Sequence, residues 1–251
     1  MPERPYNLGQ LVINTGSLSY LDNCLRQFML NPTRRDMLVG FLNPHVYNYV
    51  ERDSYVRSFI QACDLVCLDG VGITLAFRYL FAQTPPRVVA TALFDRALAW
   101  PEPRVNAVLI GGTPTQAQLA ADNINSRKGS WHIVAAYHGF MKSDEYRAIL
   151  AQHADIDAAL VGAGTPKSEQ ILLNARDVCQ RALCWHIGGG TLAVYAGHKA
   201  RAPAWVSKLG IEWMHRFVHE PHYRSRIYPG AIEFAGHLFK NRFFPNNEVQ
   251  R

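Results

Sequence analysis

Seven short apolar runs, each closed by glycine or a polar residue, decide what this chain can fold into. They are LVINTG (11–16), MLVGFLN (37–43), DLVCLDG (64–70), AVLIGG (107–112), HIVAAYHG (132–139), DAALVGAG (157–164) and ALCWHIGGG (182–190), and helical patterns follow them. Strands that are apolar almost throughout are buried on both faces, and strands alternating with helices place those helices on the faces. The pattern therefore predicts an α/β fold: a mostly parallel, Rossmann-like sheet with helices on both faces. At 251 residues and 48% apolar, the chain can build one large domain with a small addition.

The punctuation between runs refines this. After AVLIGG, Thr113 fits an N-cap, Pro114 the first turn and Gln116 the reciprocal residue of a capping box. Thr165-Pro166-Lys167-Ser168 repeats the design, with Ser168 too short to reach back in the same way. Beyond Gly197 the strands stop and aromatics, Arg and His take over. A boundary there separates a body (1–197) from a helical C-terminal appendage (198–251), which Pro203, Pro221 and Pro229 should break into short helices. Residues 198–251 carry nine Lys/Arg against four Glu, so +5 of the formal +6 sits in the appendage. That asymmetry points to an anionic partner at one end. Five cysteines (24, 63, 67, 179, 184) in no metal spacing read as buried free thiols of a reducing compartment. No signal-like segment opens the sequence and no run reaches the roughly 18 apolar residues of a membrane span, so a cytoplasmic protein is expected.

Ligands of open parallel sheets bind at the carboxyl ends of the strands. Asp69 is expected there, followed by Gly70 and Gly72, which would let the backbone pass close to a substrate. Two readings stand: a general base, or an N-cap for a helix beginning near Ile73. The loops holding Gly112 and Thr113, Gly164 and Pro166, and Gly189 fall at the same edge, where helix N-termini can meet phosphates. No G-x-G-x-x-G or GxxxxGK[ST] spacing is present, which disfavours a nicotinamide enzyme or a P-loop. Asp155-Ile156-Asp157 resembles a metal-binding D-x-D but precedes its strand, at the wrong edge. His215, His219 and His222 have spacing that zinc could use, without the glutamate of H-E-x-x-H. In RAPAWVSKLGIEWMHRFVHEPHYRSR (201–226), Arg201, Arg216, Arg224 and Arg226 sit among Trp205, Trp213, Phe217 and Tyr223. A solvated helix face, a nucleic-acid surface and an anionic membrane surface would each explain that mixture. The spacing of the two tryptophans and Phe217 fits one packing face.

Taken together, these motifs resemble the WecG/TagA/CpsF bacterial glycosyltransferases (glycosyltransferase family 26) from about residue 11 to 240. FLNPHVYNYV resembles the family's early T-x-N segment, LDGVGI its D-G-x-G, and VLIGGTP…HGF with VGAGTPKSE its central motifs. AGHKARAPAWVSKLGIEWMHRFVHEP (196–221) resembles its long C-terminal signature. The resemblance implies an inverting, metal-independent transferase needing no cofactor. It would move a sugar from a UDP-sugar to a polyprenyl-diphosphate-linked saccharide, peripherally on the inner face of the cytoplasmic membrane. It implies Asp69 as the base and Asn43 in the pocket, with Arg201, Arg216 and Arg224 reaching the site from a membrane-touching appendage. Gly70, Gly72, Gly112, Thr113, Gly164, Pro166, Glu169 and Gly189 follow as substrate contacts. Nucleic acid is not among the implied partners, and a homo-oligomer is compatible with them. Phe41 replaces the early Thr, residues 87–93 lack the Gly and Asp of R-x-x-G-x-D-L, Ser168 replaces Gln, and Ala193 replaces an acid. The donor implied is a hexose such as glucose or an N-acetylhexosamine, and these departures suggest one other than N-acetylmannosamine, such as a glucose-type hexose. An inactive scaffolding homologue and a nucleic-acid module are the rival readings.

Overall fold

The computed structural model describes residues 5–8, 11–31, 33–201, 203, 206, 214 and 221–243, without side chains at 7, 8 and 221–228. The elements run β1 (Tyr6–Leu8), β2 (Leu11–Ile13), α1 (Leu18–Leu30), β3 (Met37–Leu42), α2 (Pro44–Arg52), α3 (Ser54–Ala62), β4 (Leu65–Leu68) and α4 (Val71–Phe81). There follow α5 (Ala90–Leu98), β5 (Val105–Gly111), α6 (Pro114–Asn125), β6 (Trp131–Tyr137), α7 (Ser143–Gln152), β7 (Ala158–Gly162), α8 (Lys167–Val178), β8 (Leu183–His186) and α9 (Gly189–Tyr195). The last helix, here α10, is Pro221–Phe243.

Six strands form one parallel sheet in the order β4-β3-β8-β7-β5-β6. Alternate residues of each strand feed two cores. Leu38, Leu42, Val66, Leu68, Val161 and Cys184 pack under α2, α3, α4, α7 and α8. Val39, Leu65, Cys67, Leu109, Leu160 and Trp185 pack under α1, α5, α6 and α9. Both faces are covered, as the unbroken apolar runs require. One expected parallel strand is not in this sheet: 11–16 yields only β2, a three-residue strand paired antiparallel with β1. Asn14 touches the sheet edge through its carbonyl, which accepts from Val66 N–H at 2.8 Å. Four cysteines are buried and Cys24 is half-buried; all five are free.

The appendage also departs from expectation. Pro229 lies inside α10, a 23-residue helix, instead of ending it. An interior proline costs about 3 kcal/mol. Contacts just beyond it offset that cost. The Asn48 amide donates to Gly230 O at 2.8 Å, Arg52 pairs with Glu233 at 2.9 Å, and Asn241 donates to the Tyr47 hydroxyl at 2.7 Å. Phe234, 8% exposed, meets the Tyr47 ring edge-on at 5.5 Å. Burying such a ring is worth about 2 kcal/mol. Fastened across α2, α10 places Phe234 within reach of Gly72 at the start of α4.

Candidate active site

Strand register builds the first corner of the site. Leu42 pairs with Leu68, so Asn43 and Asp69 leave adjacent strands side by side, and Asp69 N–H donates to Leu42 O at 3.0 Å. Asn43 caps α2, its side chain accepting from Val46 N–H at 2.9 Å, which leaves its amide nitrogen free of that duty. The capping reading of Asp69 is not what the structure shows. Gly70 (φ 93°) holds the N-cap position of α4, which begins at Val71, and no side chain caps it. Asp69 is half-buried, on a turn that φ restricts to glycine at its next residue. Gly72 is small because Pro44 is close: an added Cβ would stand 2.7 Å from the proline ring.

The second corner is made of glycines packed against one another. Gly111 and Gly162 are register partners, and a Cβ on Gly111 would lie 2.5 Å from Gly162 O. A Cβ on Gly162 would lie 3.0 Å from Gly188 O. The ends of β5, β7 and β8 therefore converge more tightly than any side chain allows. Gly112 (φ 62°) and Gly164 (φ 86°) then turn the chain out, and Gly164 faces open space. α6 starts as expected, with Thr113 accepting from Gln116 N–H at 3.2 Å and Gln116 Oε1 accepting from Thr113 N–H at 3.0 Å. Those two donors are thereby spent and unavailable to an anion.

α8 does not repeat that design. Pro166 is at the N-cap and no side chain caps the helix. The Thr165 hydroxyl instead donates to Glu169 Oε1 at 2.8 Å, while Ser168 Oγ accepts from Ala163 N–H at 2.9 Å. Glu169 and Ser168 are both 0% exposed, so Glu169 does not face solvent from the open edge. Burial pushes the Glu169 carboxyl up to about 7 and holds the neighbouring His186 imidazole down to about 3. Glu169 Oε1 and His186 Nδ1 stand 3.7 Å apart, a contact between neutral groups near pH 6 rather than an ion pair. Phe41 meets the His186 ring at 4.5 Å, tilted by 54°, and lies against Gly188, so its ring is the seam joining the two corners.

Several residues that the sequence reading left aside lie on this edge. Val88 N–H donates to Leu68 O, which puts half-buried Arg87 beside the Asp69 turn. Gly139 N–H donates to Gly112 O, bringing the 72%-exposed Phe140 to the rim. Lys167 Nζ donates to Gly139 O at 3.1 Å and sets a cation there. The H-G-F and P-K runs were visible in the sequence, but nothing in their spacing assigned them a place.

Other expectations land elsewhere. Arg201 is engaged away from the edge: its guanidinium grips both oxygens of Asp95 on α5, while the Tyr195 hydroxyl donates to the same carboxylate. Arg216 and Trp205, Trp213, Phe217, His215 and His219 lie outside the described residues; of Arg224 and His222 only the backbone, in α10, is described. Asp157 is at the opposite edge, paired to Arg34 and accepting from Asn106 N–H at 2.9 Å, as a residue preceding its strand should be. A shallow basic depression at that edge, lined by Arg34, Arg35, Arg176 and Arg181 with Asp36 and Asp177, is far from Asp69 in the topology. Its Arg176 pairs with Asp36.

Asn43, Asp69, Gly70, Gly72, Gly112, Thr113, Gly164, Pro166 and Gly189 thus share one edge, with Arg87 and Lys167 as its cations. A carboxylate on an uncapped turn can take a proton from a hydroxyl, and cations beside it favour an anionic leaving group. A family model described as the glycosyl transferase WecG/TagA/CpsF family matches residues 7–248, spanning both corners and α10. The chain belongs to that family, and its chemistry is glycosyl transfer.

Proposed function

We propose that this protein is an inverting transferase that moves a sugar from a UDP-sugar to a polyprenyl-diphosphate-linked saccharide in bacterial cell-surface or exopolysaccharide synthesis. The observation that carries this reading is the β3–β4 corner. Asp69 is partly open on the turn before α4, beside Asn43 and next to the segment that carries Arg87, while Phe234 of α10 reaches Gly72. Asp69 accepts the acceptor hydroxyl's proton as that oxygen attacks the anomeric carbon from the face opposite the leaving UDP. A positioned base contributes about 10²–10⁴-fold. Charge growing on the departing diphosphate meets Lys167 and backbone N–H groups of the loops after β7 and β8, together with arginines of the appendage. Arginine suits that task because its planar fork binds two phosphate oxygens together. Phe140 offers the uracil a ring at the rim.

Membrane attachment draws support from α10 and α4. Phe239 and Phe243 are each 57% exposed and their rings meet at 4.6 Å, tilted by 45°. Arg242 reaches over the ring of Tyr79 on α4, and Lys240 lies in the same last turn of α10. Exposed aromatics with cations suit an anionic headgroup layer, where each Lys or Arg adds about 1 kcal/mol. Among the described residues no helix is long and apolar enough to cross a membrane.

The test is a panel of UDP-sugars with a synthetic lipid-diphosphate saccharide, with and without anionic vesicles. Transfer with inverted anomeric configuration is expected, a glucose-type hexose being preferred. Exclusive use of N-acetylmannosamine overturns the donor assignment, and absence of transfer with every donor overturns the reading.

A further inference from the structure

Behind the glycine corner lies a polar cluster that the transfer chemistry above does not use. Glu169 and His186 are 0% and 1% exposed, at the junction of α8 with the end of β8. One Glu169 oxygen accepts from Thr165 Oγ1 at 2.8 Å; the other has no hydrogen-bond partner, and neither does His186 Nδ1. Two unpaired polar atoms in a sealed site are costly, so their retention calls for a reason. Thr165 sits in the turn that carries the chain from β7 into α8, between exposed Gly164 and Pro166. Ser168 holds the other side of that turn through Ala163 N–H. Glu169 is therefore the link between a surface loop and the interior of the sheet edge.

We infer that Glu169 is a positioning residue: its Oε1, which also stands 3.7 Å from His186 Nδ1, accepts the Thr165 hydroxyl and so fixes the 163–166 loop at the donor's diphosphate. This rests on the donor reading above, but it gives Glu169 a different part from the direct substrate contact that the sequence suggests. A carboxyl group suits the place because its oxygen accepts from Thr165 whether the acid is neutral or ionised. The other titratable groups facing the pair are Asp53, at the α2–α3 junction, and the Cys63 thiol at the end of α3. Asp53 favours the protonated acid and the Thr165 hydrogen bond favours the ionised one, so the link survives ionisation.

Three variants of the full-length protein test this. Glu169→Ala and Thr165→Val each remove the link, and Glu169→Gln keeps an acceptor and a donor at every pH. Affinity for UDP alone should fall about tenfold in Glu169→Ala and Thr165→Val, the equivalent of one hydrogen bond. Glu169→Gln should recover most of that loss, its amide oxygen accepting from Thr165 in place of the carboxyl oxygen. Hydrogen exchange of amides 163–168 should quicken in the first two variants and not in the third. Unchanged exchange and affinity in both Glu169→Ala and Thr165→Val overturn the inference. So does a loss in Glu169→Gln as large as that in Glu169→Ala. Should the parent fail to bind UDP while its loop exchange responds as stated, the donor reading falls and the link itself stands. Thr165→Val leaves both buried ionisable groups in place, so it decides the matter should Glu169→Ala not fold.

Discussion

At the β3–β4 end of the sheet edge, Asp69 stands half-buried on a turn that no side chain caps; at the β7–β8 end, Glu169 is sealed with an imidazole and a hydroxyl. Both acids follow a strand and precede or enter a helix, and both belong to a Gly-containing segment. Under the proposed function their surroundings suit opposite work: Asp69 exchanges a proton with a ligand, and Glu169 holds a loop. The largest expected effect breaks this contrast directly. Asp69→Asn should lower turnover by about 10²–10⁴-fold with little change in thermal unfolding, because the side chain is removed from chemistry and not from a core. Turnover near that of the parent would remove Asp69 as the base and leave the two acids alike.

The second prediction concerns the sealed end. Glu169 binds its proton more tightly folded (about 7) than unfolded (4.5), so its contribution is complete below about pH 4.5 and is lost as pH rises through 7. That difference is about 3 kcal/mol. His186 has the opposite sign: lowered from 6.5 to about 3, it contributes fully above pH 6.5 and loses that as pH falls toward 3. The two slopes cancel between about pH 4.5 and 6.5. Denaturant unfolding should show the effect. Relative to the parent, Glu169→Gln should gain stability steadily from pH 4.5 to 7, and a pH-independent difference would refute the buried neutral pair.

Glycine substitutions sharpen the contrast further. Gly111→Ala places a methyl 2.5 Å from a backbone oxygen and 2.8 Å from Leu192, with φ at 152°. Neither the backbone oxygen nor the buried strand can retreat, so a loss of about 1–3 kcal/mol is expected. Gly70→Ala meets nothing within 4 Å and suffers only from its φ of 93°. It should cost less stability while still reshaping the Asp69 turn. Equal losses of stability in the two variants would mean that close packing is not what separates the corners.

The sequence disclosed the sheet because apolar runs and glycine stops are local signals, and it disclosed Asp69 because an acid between a strand and two glycines is conspicuous. It misplaced residues whose roles depend on distant partners. Pro229 reads as a helix breaker until Asn48 and Arg52, some 180 positions away, are seen to hold the following turn. Thr165 reads as a cap by analogy with Thr113, yet Glu169 draws its hydroxyl inward where Gln116 closes a box outside. LVINTG has the composition of a sheet strand, but its pairing is with β1. Glu169 reads as a substrate contact from its motif because burial is not a property of six residues.

Arg201 provides the smallest expected effect and the most discriminating one for the appendage. Its guanidinium is 46% exposed and its partner Asp95 31%, so solvent screens the pair and its worth is about 1 kcal/mol or less. The pair is nonetheless organised. Asp95 also accepts from Tyr195, and Arg127 and Arg201 lie 4.7 and 5.4 Å from the Tyr195 ring centre. This cluster fastens the segment leaving α9 to α5 and α6. If Arg201 works as that fastener, Arg201→Ala and Asp95→Asn should lower the melting temperature alike, by about 2–4 °C, and the double variant should lose little more. Their effects on sugar transfer should also match, since each releases the same root of the appendage. If Arg201 instead leaves Asp95 to bind a diphosphate during turnover, Arg201→Ala should cut transfer far more than Asp95→Asn does. Measuring both variants separates an arginine that holds the appendage from one that serves the substrate, because only the first role requires Asp95.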